Sequence, residues 1–244
     1  MKQILTTFSR FIRISFLIIL TSCANTSPTI FIGDLSRKGN LLIHETFNKN
    51  MDNWIVEQGK GGTVKLINGK MDIDDANGCT IWFKNKLDGN IMIEYDAVVI
   101  ESDGANDRVS DLNCFWMAND PKSVDFFANS ANRNGKFQNY HNLQLYYVGL
   151  GGHNNTKTRF RRYAGGGERP CLPEHDLDDV KYLITANQVN AIRIIVYNDH
   201  VQYYRNGELI YDFKDRSPYS SGFFGIRTYK NHMTIDNFKV YQLK

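Results

Sequence analysis

Apolar residues in this chain recur at every second position in short runs, and no long stretch keeps the 3.6-residue spacing of a helix. About a dozen such runs follow one another, from Leu41–Phe47 to Met233–Tyr241. Asn68-Gly69, Asn198-Asp199 and Asn206-Gly207 fall between pairs of runs, where a two-residue hairpin needs residues that accept positive φ. Only 5 prolines interrupt the ladder. No repeat of 20–50 residues is present. Many short strands joined by hairpins predict an all-β chain, a two-sheet antiparallel β-sandwich or jelly roll, over residues 41–244.

The first 22 residues read as an address. Lys2, Arg10 and Arg13 precede a short apolar core, Ile14–Leu20, too short to span a bilayer. It runs into Leu20-Thr21-Ser22-Cys23, which resembles a bacterial lipoprotein box with Cys23 as the acylated residue. Residues 23–40 are then expected to be a tether. The domain is expected to hang, as a monomer, from a lipid anchor on the bacterial cell envelope, at the outer membrane and facing either periplasm or surface.

The 29 basic residues fall to 26, equal to the 26 acidic ones, once the three in the leader are removed. That balance excludes a nucleic-acid binder, which carries a basic excess. Without Cys23 three cysteines remain, so at most one disulfide forms. Neither CxxC nor HExxH occurs, which argues against zinc, and Cys79 and Cys114 read as buried strand residues.

The segments VQYYRNGELIYDF (201–213) and SGFFGIRTYKNHMTIDNFKVY (221–241) resemble the C-terminal half of concanavalin A-like lectin/glucanase domains. More narrowly, LQLYYVGLGGHNNTKTRFRRYAGGGERPCLPEHDL (143–177) resembles a family of Bacteroidota lipoproteins of that fold found among polysaccharide-degradation genes. The resemblance implies action on uronate-containing oligosaccharides, as in an ulvan oligosaccharide dehydratase. It also implies that Glu45 and Asp236, on the first and last strands, help hold a structural Ca²⁺. No cofactor is expected for catalysis.

Retaining glucanases of this fold use an E-x-D-x-x-E strand. Glu94-Tyr95-Asp96 begins that pattern, but Val99 stands at its third position, so no acid/nucleophile pair forms. The segment Tyr140–Tyr163 is richer in chemistry. Alternation predicts Leu143 and Leu145 toward the core, with Asn142, Gln144 and Tyr146 facing a groove. Arg159, Arg161 and Tyr163 share one face of the next strand, a spacing suited to a carboxylate or sulfate unless acids pair with them.

β-Elimination from a uronic acid needs a group to neutralise the carboxylate, a base for the C5 proton and an acid for the C4 oxygen. Arg159 or Arg161 with Asn113 can supply the first. His141 or His153 can be the base, and Tyr146 or Tyr147 base, acid or both. Trp116 is a candidate for stacking on a sugar, and Asn155 and Arg227 are candidate contacts. Loss of a terminal hydroxyl makes a dehydratase; loss of a sugar makes a polysaccharide lyase. A non-catalytic glycan-binding lipoprotein and a glycoside hydrolase are the alternatives.

Overall fold

The computed structural model describes Ser27–Lys244. The leader, Cys23 and the first tether residues lie outside the described residues. The strands are, in chain order, β1 Thr29–Ile32, β2 Leu35–Glu45, β3 Trp54–Gln58, β4 Thr63–Ile67, β5 Lys70–Asp75 and β6 Cys79–Phe83. There follow β7 Leu87–Asp88, β8 Ile91–Val99, β9 Leu112–Asn119, β10 Gln144–Gly151, β11 Lys157–Ala164 and β12 Asp176–Leu177. The last five are β13 Val189–Tyr197, β14 His200–Arg205, β15 Glu208–Lys214, β16 Ser221–Thr228 and β17 Asn231–Leu243.

They form two antiparallel sheets. The back sheet runs β1-β2-β17-β8-β13-β14-β15, with β5 and then β4 also joined to β17. The front sheet runs β12-β11-β10-β9-β16-β6-β3, with β7 on β16. The hairpin signals act where the sequence places them: Asn68, Gly69, Asn198, Asn206 and Gly207 all take positive φ between paired strands. The first and last long strands pair with each other, Glu45 opposite Phe238 and Gly39 opposite Leu243.

Between the sheets lies one core that includes Trp116, Tyr146, Phe160, Tyr203, Phe224 and Phe238. Burying each such side chain contributes about 1.5–3 kcal/mol. The front sheet is also covered on its other side. Residues 126–140, two 3₁₀ turns flanking the short helix α1 Ser130–Arg133, lie over it and enclose Trp82, Phe115, Phe126, Tyr140, Leu145, Tyr147 and Tyr163.

This cover is clamped at a glycine pair. A Cβ on Gly135 would meet the Gly78 carbonyl oxygen at 2.1 Å, so the two backbones touch only because neither residue has a side chain. Beneath it Arg133 holds Glu57 through Nε and Nη2, and the Tyr140 hydroxyl donates to Glu57 Oε2 at 2.7 Å.

Two expectations are corrected. The segment 23–40 is not a tether throughout, because β1 and the start of β2 form a hairpin whose Ile30 and Ile32 are buried against Met92, Ile195 and Leu243. The phase of β10 is reversed. Tyr146 lies in the core between the sheets, while Leu145 and Tyr147 face the cover. Both faces of this strand are apolar because both are covered, so alternation alone cannot tell them apart.

Candidate functional site

On the front sheet, Arg227, Asn113, Gly149, Arg159 and Asp176 occupy one row across β16, β9, β10, β11 and β12. Neighbouring strands are about 4.8 Å apart, so Arg227 and Arg159 start roughly 15 Å from each other. Gly149 leaves the middle of the row empty. Tyr147, two residues earlier on the same face, leans into that gap, and a Cβ on Gly149 would meet its hydroxyl at 2.4 Å. The phenol thus sits at the floor of a cavity of about 820 Å³.

The walls come from four other places: Arg108 and Asp111 before β9, Lys136–Gln138 of the cover, His153 and Asn154 after β10, and Arg169 between β11 and β12. Lys157, Arg161 and Tyr229 complete the rim. Seven cationic side chains line the cavity, against a single carboxylate, Asp111.

Pairing sorts these cations. Arg108 holds Asp111 at 2.5 Å and Lys157 holds Asp178 at 2.8 Å. Arg159 is bound by Asp176, with Nε to Oδ1 at 2.9 Å and Nη2 to Oδ2 at 3.0 Å. Its side-chain bond to Arg159 keeps the Asp176 carboxyl below its ordinary range. Arg161, Arg169 and Arg227 have no salt bridge to a carboxylate among the described residues. Arg227 is 2% exposed and donates from Nη1 to Thr80 Oγ1 and to the Gly135 carbonyl, both at 2.9 Å. The rings of Phe137 and Tyr140 lie 4.7 and 5.1 Å from its guanidinium carbon. A buried guanidinium held by neutral groups retains donors for an anion.

The proton-transfer candidates differ in state. Burial, then Tyr163 and Asp111, push the Tyr147 phenol well above its usual range, against the pull of Arg227 and Arg161. It stays protonated and can donate. His153 Nε2 lies 2.6 Å from Arg159 Nη1. A guanidinium can only donate, so Nε2 is the acceptor and the ring proton sits on Nδ1. Burial, then Arg169 and Arg227, lower the His141 pKa to about 4, and its buried Nε2 has no partner.

The residues singled out in the sequence therefore separate. Asn113, His153, Arg159, Arg161 and Arg227 line the cavity. Asn113 Oδ1 is buried without a partner, which suits a sugar hydroxyl. Arg159, expected to neutralise a substrate carboxylate, is committed to Asp176 and His153 instead. Trp116 is fully buried between the sheets, stacked with Tyr203, and offers no surface to a sugar. Tyr146 is also in that core, its hydroxyl donating to Asp215 Oδ2 at 2.6 Å. Asn155 does not line the cavity; its amide bonds the Ile184 backbone twice, both at 2.8 Å. His141 stands behind the wall, against Phe137 and Tyr163. Tyr147 takes the place expected for Tyr146. Arg169 was missed, although the Gly165–Gly167 run before it marks a loop able to bring it back over the sheet.

Glu94 and Asp96 lie on β8 of the back sheet, paired with Arg193 and Asn237, and do not line this cavity. Glu45 Oε1 accepts from Asn53 at 2.6 Å, and Asp236 Oδ1 accepts the Asn237 amide at 2.7 Å. Among the described residues no group of three or more His, Cys, Asp or Glu is placed to hold a metal ion.

No curated protein matches the chain significantly. A protein of unknown function with a galectin-like fold from Bacillus subtilis is 18% identical, with a TM-score of 0.65 over 85% of this chain and 98% of that one. The carbohydrate binding module CBM66 from Bacillus subtilis is 15% identical, with a TM-score of 0.53 over 79% and 98%. The endo-beta-1,3-glucanase from Pyrococcus furiosus is 12% identical, with a TM-score of 0.53 over 88% and 98%. These likenesses establish the concanavalin A-like, galectin-like jelly roll. The sequence profile of the family described as "Domain of unknown function (DUF6250)" matches residues 73–238, more than half of the chain, and the chain belongs to that family.

Proposed function

We propose that the protein is a carbon–oxygen lyase that acts by β-elimination on oligosaccharides containing uronic acid, of ulvan type, and leaves a 4,5-unsaturated uronyl end. The observation that carries this reading is the charge of the cavity. Of the seven lining cations Arg108, Lys157 and Arg159 are paired with acids, while Arg161, Arg169 and the most buried of all, Arg227, have no salt bridge to a carboxylate among the described residues. A neutral sugar would leave that charge unanswered, while a uronate carboxylate answers it. Hydrolysis by an acid pair has no second carboxylate to use there.

In this reading Arg227, with Arg161 of β11 across the cavity, holds the carboxylate and stabilises the charge that develops as C5 loses its proton. For that step Arg159 Nη1 moves its hydrogen bond from His153 Nε2 to the substrate, and the freed Nε2 takes the proton. The electron pair forms the C4–C5 double bond, the C4–O bond breaks, and Tyr147 donates its proton to the departing oxygen. With a free terminal hydroxyl the product is water and the enzyme is a dehydratase; with a glycosidic oxygen it is a polysaccharide lyase. The jelly-roll carbohydrate-binding module and glucanase among the structural neighbours support a carbohydrate ligand. Acylation of Cys23 would hold the domain on the cell envelope.

A glycan-capture role without chemistry is the second reading, favoured by the exposed Tyr229 ring at the rim, which suits sugar stacking. Incubation with uronate oligosaccharides separates the two. Growth of the ultraviolet band of a conjugated unsaturated uronate supports the lyase. Shortening of the chain marks a polysaccharide lyase, and unchanged length marks a dehydratase. Binding with no such band supports capture and contradicts the lyase.

A further inference from the structure

Strand β10 ends at Gly151, and the chain turns back into β11 through Gly152–Asn155. Three successive non-glycine residues in this turn have left-handed backbones: His153 at φ 55°, Asn154 at 58° and Asn155 at 58°. Left-handed conformation is uncommon outside glycine and is tolerated by asparagine better than by histidine. A run of three, with a histidine first, persists only if its surroundings hold it.

They do so from three directions. Arg108 Nη1 donates to Asn154 Oδ1 at 2.7 Å, and the same guanidinium is fixed by Asp111 and the Lys230 carbonyl. Asn155 acts as a two-way clamp: its Nδ2 donates to the Ile184 carbonyl and its Oδ1 accepts the Ile184 amide, both at 2.8 Å. Thr156 closes the turn, with N–H to Gly152 O at 3.0 Å and Oγ1 to His153 O at 2.9 Å. The one side chain of the turn left to face the cavity with a ring is His153, and it meets Arg159, which Asp176 fixes from the far side.

We propose that Asn155 is a positioning residue: its clamp on Ile184 holds the left-handed turn, and the turn holds the His153 ring with its proton on Nδ1 and Nε2 against Arg159. Asn155 touches no substrate and acts through His153. The inference rests on the proposed elimination only for the consequence on rate, because the state of the His153 ring can be read without any substrate.

The test uses the full chain labelled with ¹⁵N-histidine, the His153 signals being identified by their loss in His153→Gln. Asn155→Gly keeps the left-handed backbone accessible while removing the clamp, and Asn155→Asp keeps the acceptor for the Ile184 amide. Circular dichroism confirms the fold of each. The expected wild-type spectrum shows the proton on Nδ1. Asn155→Gly is expected to give a mixture of the two tautomers, and Asn155→Asp to restore part of the wild-type pattern. With uronate oligosaccharide as substrate, kcat is expected to fall on the order of 100-fold in Asn155→Gly while KM stays near its wild-type value. An unchanged His153 tautomer in folded Asn155→Gly would overturn the proposal. A changed tautomer in a protein whose wild type gives no elimination upholds the positioning role and overturns the proposed reaction instead.

Discussion

Arg133 Nη2 meets Glu57 Oε1 at 2.6 Å beneath the helical cover, with the two side chains 3% and 0% exposed. The pair joins α1 to β3, and Tyr140 adds a further bond to the same carboxylate. Breaking one side of a buried pair leaves the other charge uncompensated, at about 3–5 kcal/mol. Arg133→Ala is therefore expected to lower the melting temperature strongly. It should also loosen the Lys136–Gln138 wall, and amide exchange in residues 126–140 should rise first. Exchange that rises evenly over both sheets would contradict the assignment of this pair to the cover.

Tyr146 and Tyr147 are neighbours with opposite duties. The Tyr146 hydroxyl bonds Asp215 and accepts the Tyr219 amide at 3.1 Å. Tyr146→Phe strips a hydrogen bond from a charged group and is expected to cost about 2 kcal/mol of stability while leaving turnover close to wild type. Tyr147→Phe is expected to keep the melting temperature and abolish elimination. Thermal melts and the ultraviolet assay on the two proteins check both halves.

Arg227→Lys keeps the charge and loses the planar fork. Affinity for a uronate disaccharide, measured by calorimetry, is expected to drop by roughly 10- to 100-fold, the weight of a charge-assisted hydrogen bond. An unchanged affinity would remove Arg227 from the anion site.

How far the sequence reached can be read residue by residue. Asn68, Asn198 and Asn206 mark their hairpins because a turn with positive φ selects so few residue types. The back sheet alternates where its outer face is open, as in Val189–Ile194. The front sheet is closed on one side by β8 and β17 and on the other by residues 126–140, and that cover has no periodic signal of its own. Tyr146, Trp116 and Leu145 were therefore set on the wrong faces. Met117 adds a further break: it takes φ 50° at a point where the registers of β9 with β10 and with β16 both slip. The cluster Asn113, Arg159, Arg161 and Arg227 was legible as polar residues on alternate strand positions. The capture of Arg159 by Asp176 was not, because it depends on which strand lies beside β11.

His232 bridges two aspartates, Nδ1 to Asp107 at 2.9 Å and Nε2 to Asp72 at 3.0 Å. Burial opposes its charge, but the bonds to Asp72 and Asp107 prevail and its pKa is raised above 6.5. The protonated ring is thus favoured by folding. Its contribution is fully present below the unfolded value of about 6.5 and is lost as pH rises through the folded value. Asp107 behaves oppositely: burial raises it, yet the bonds from Gly104, His232 and Ser102 leave it below 3.8, so its contribution is lost as pH falls through its folded value. Melting temperature is expected to decline on the alkaline side of pH 6.5 in wild type and to decline less in His232→Gln. Equal slopes in the two proteins would contradict the bridge.

The central claim, that a cation-lined cavity presents Tyr147 to a bound uronate for elimination, is tested most directly by ultraviolet absorbance of uronate oligosaccharides mixed with wild type and with Tyr147→Phe. The unsaturated product is expected to accumulate with wild type and not with Tyr147→Phe, although both bind. Tight binding by wild type with no unsaturated product, or equal product from both proteins, would contradict it.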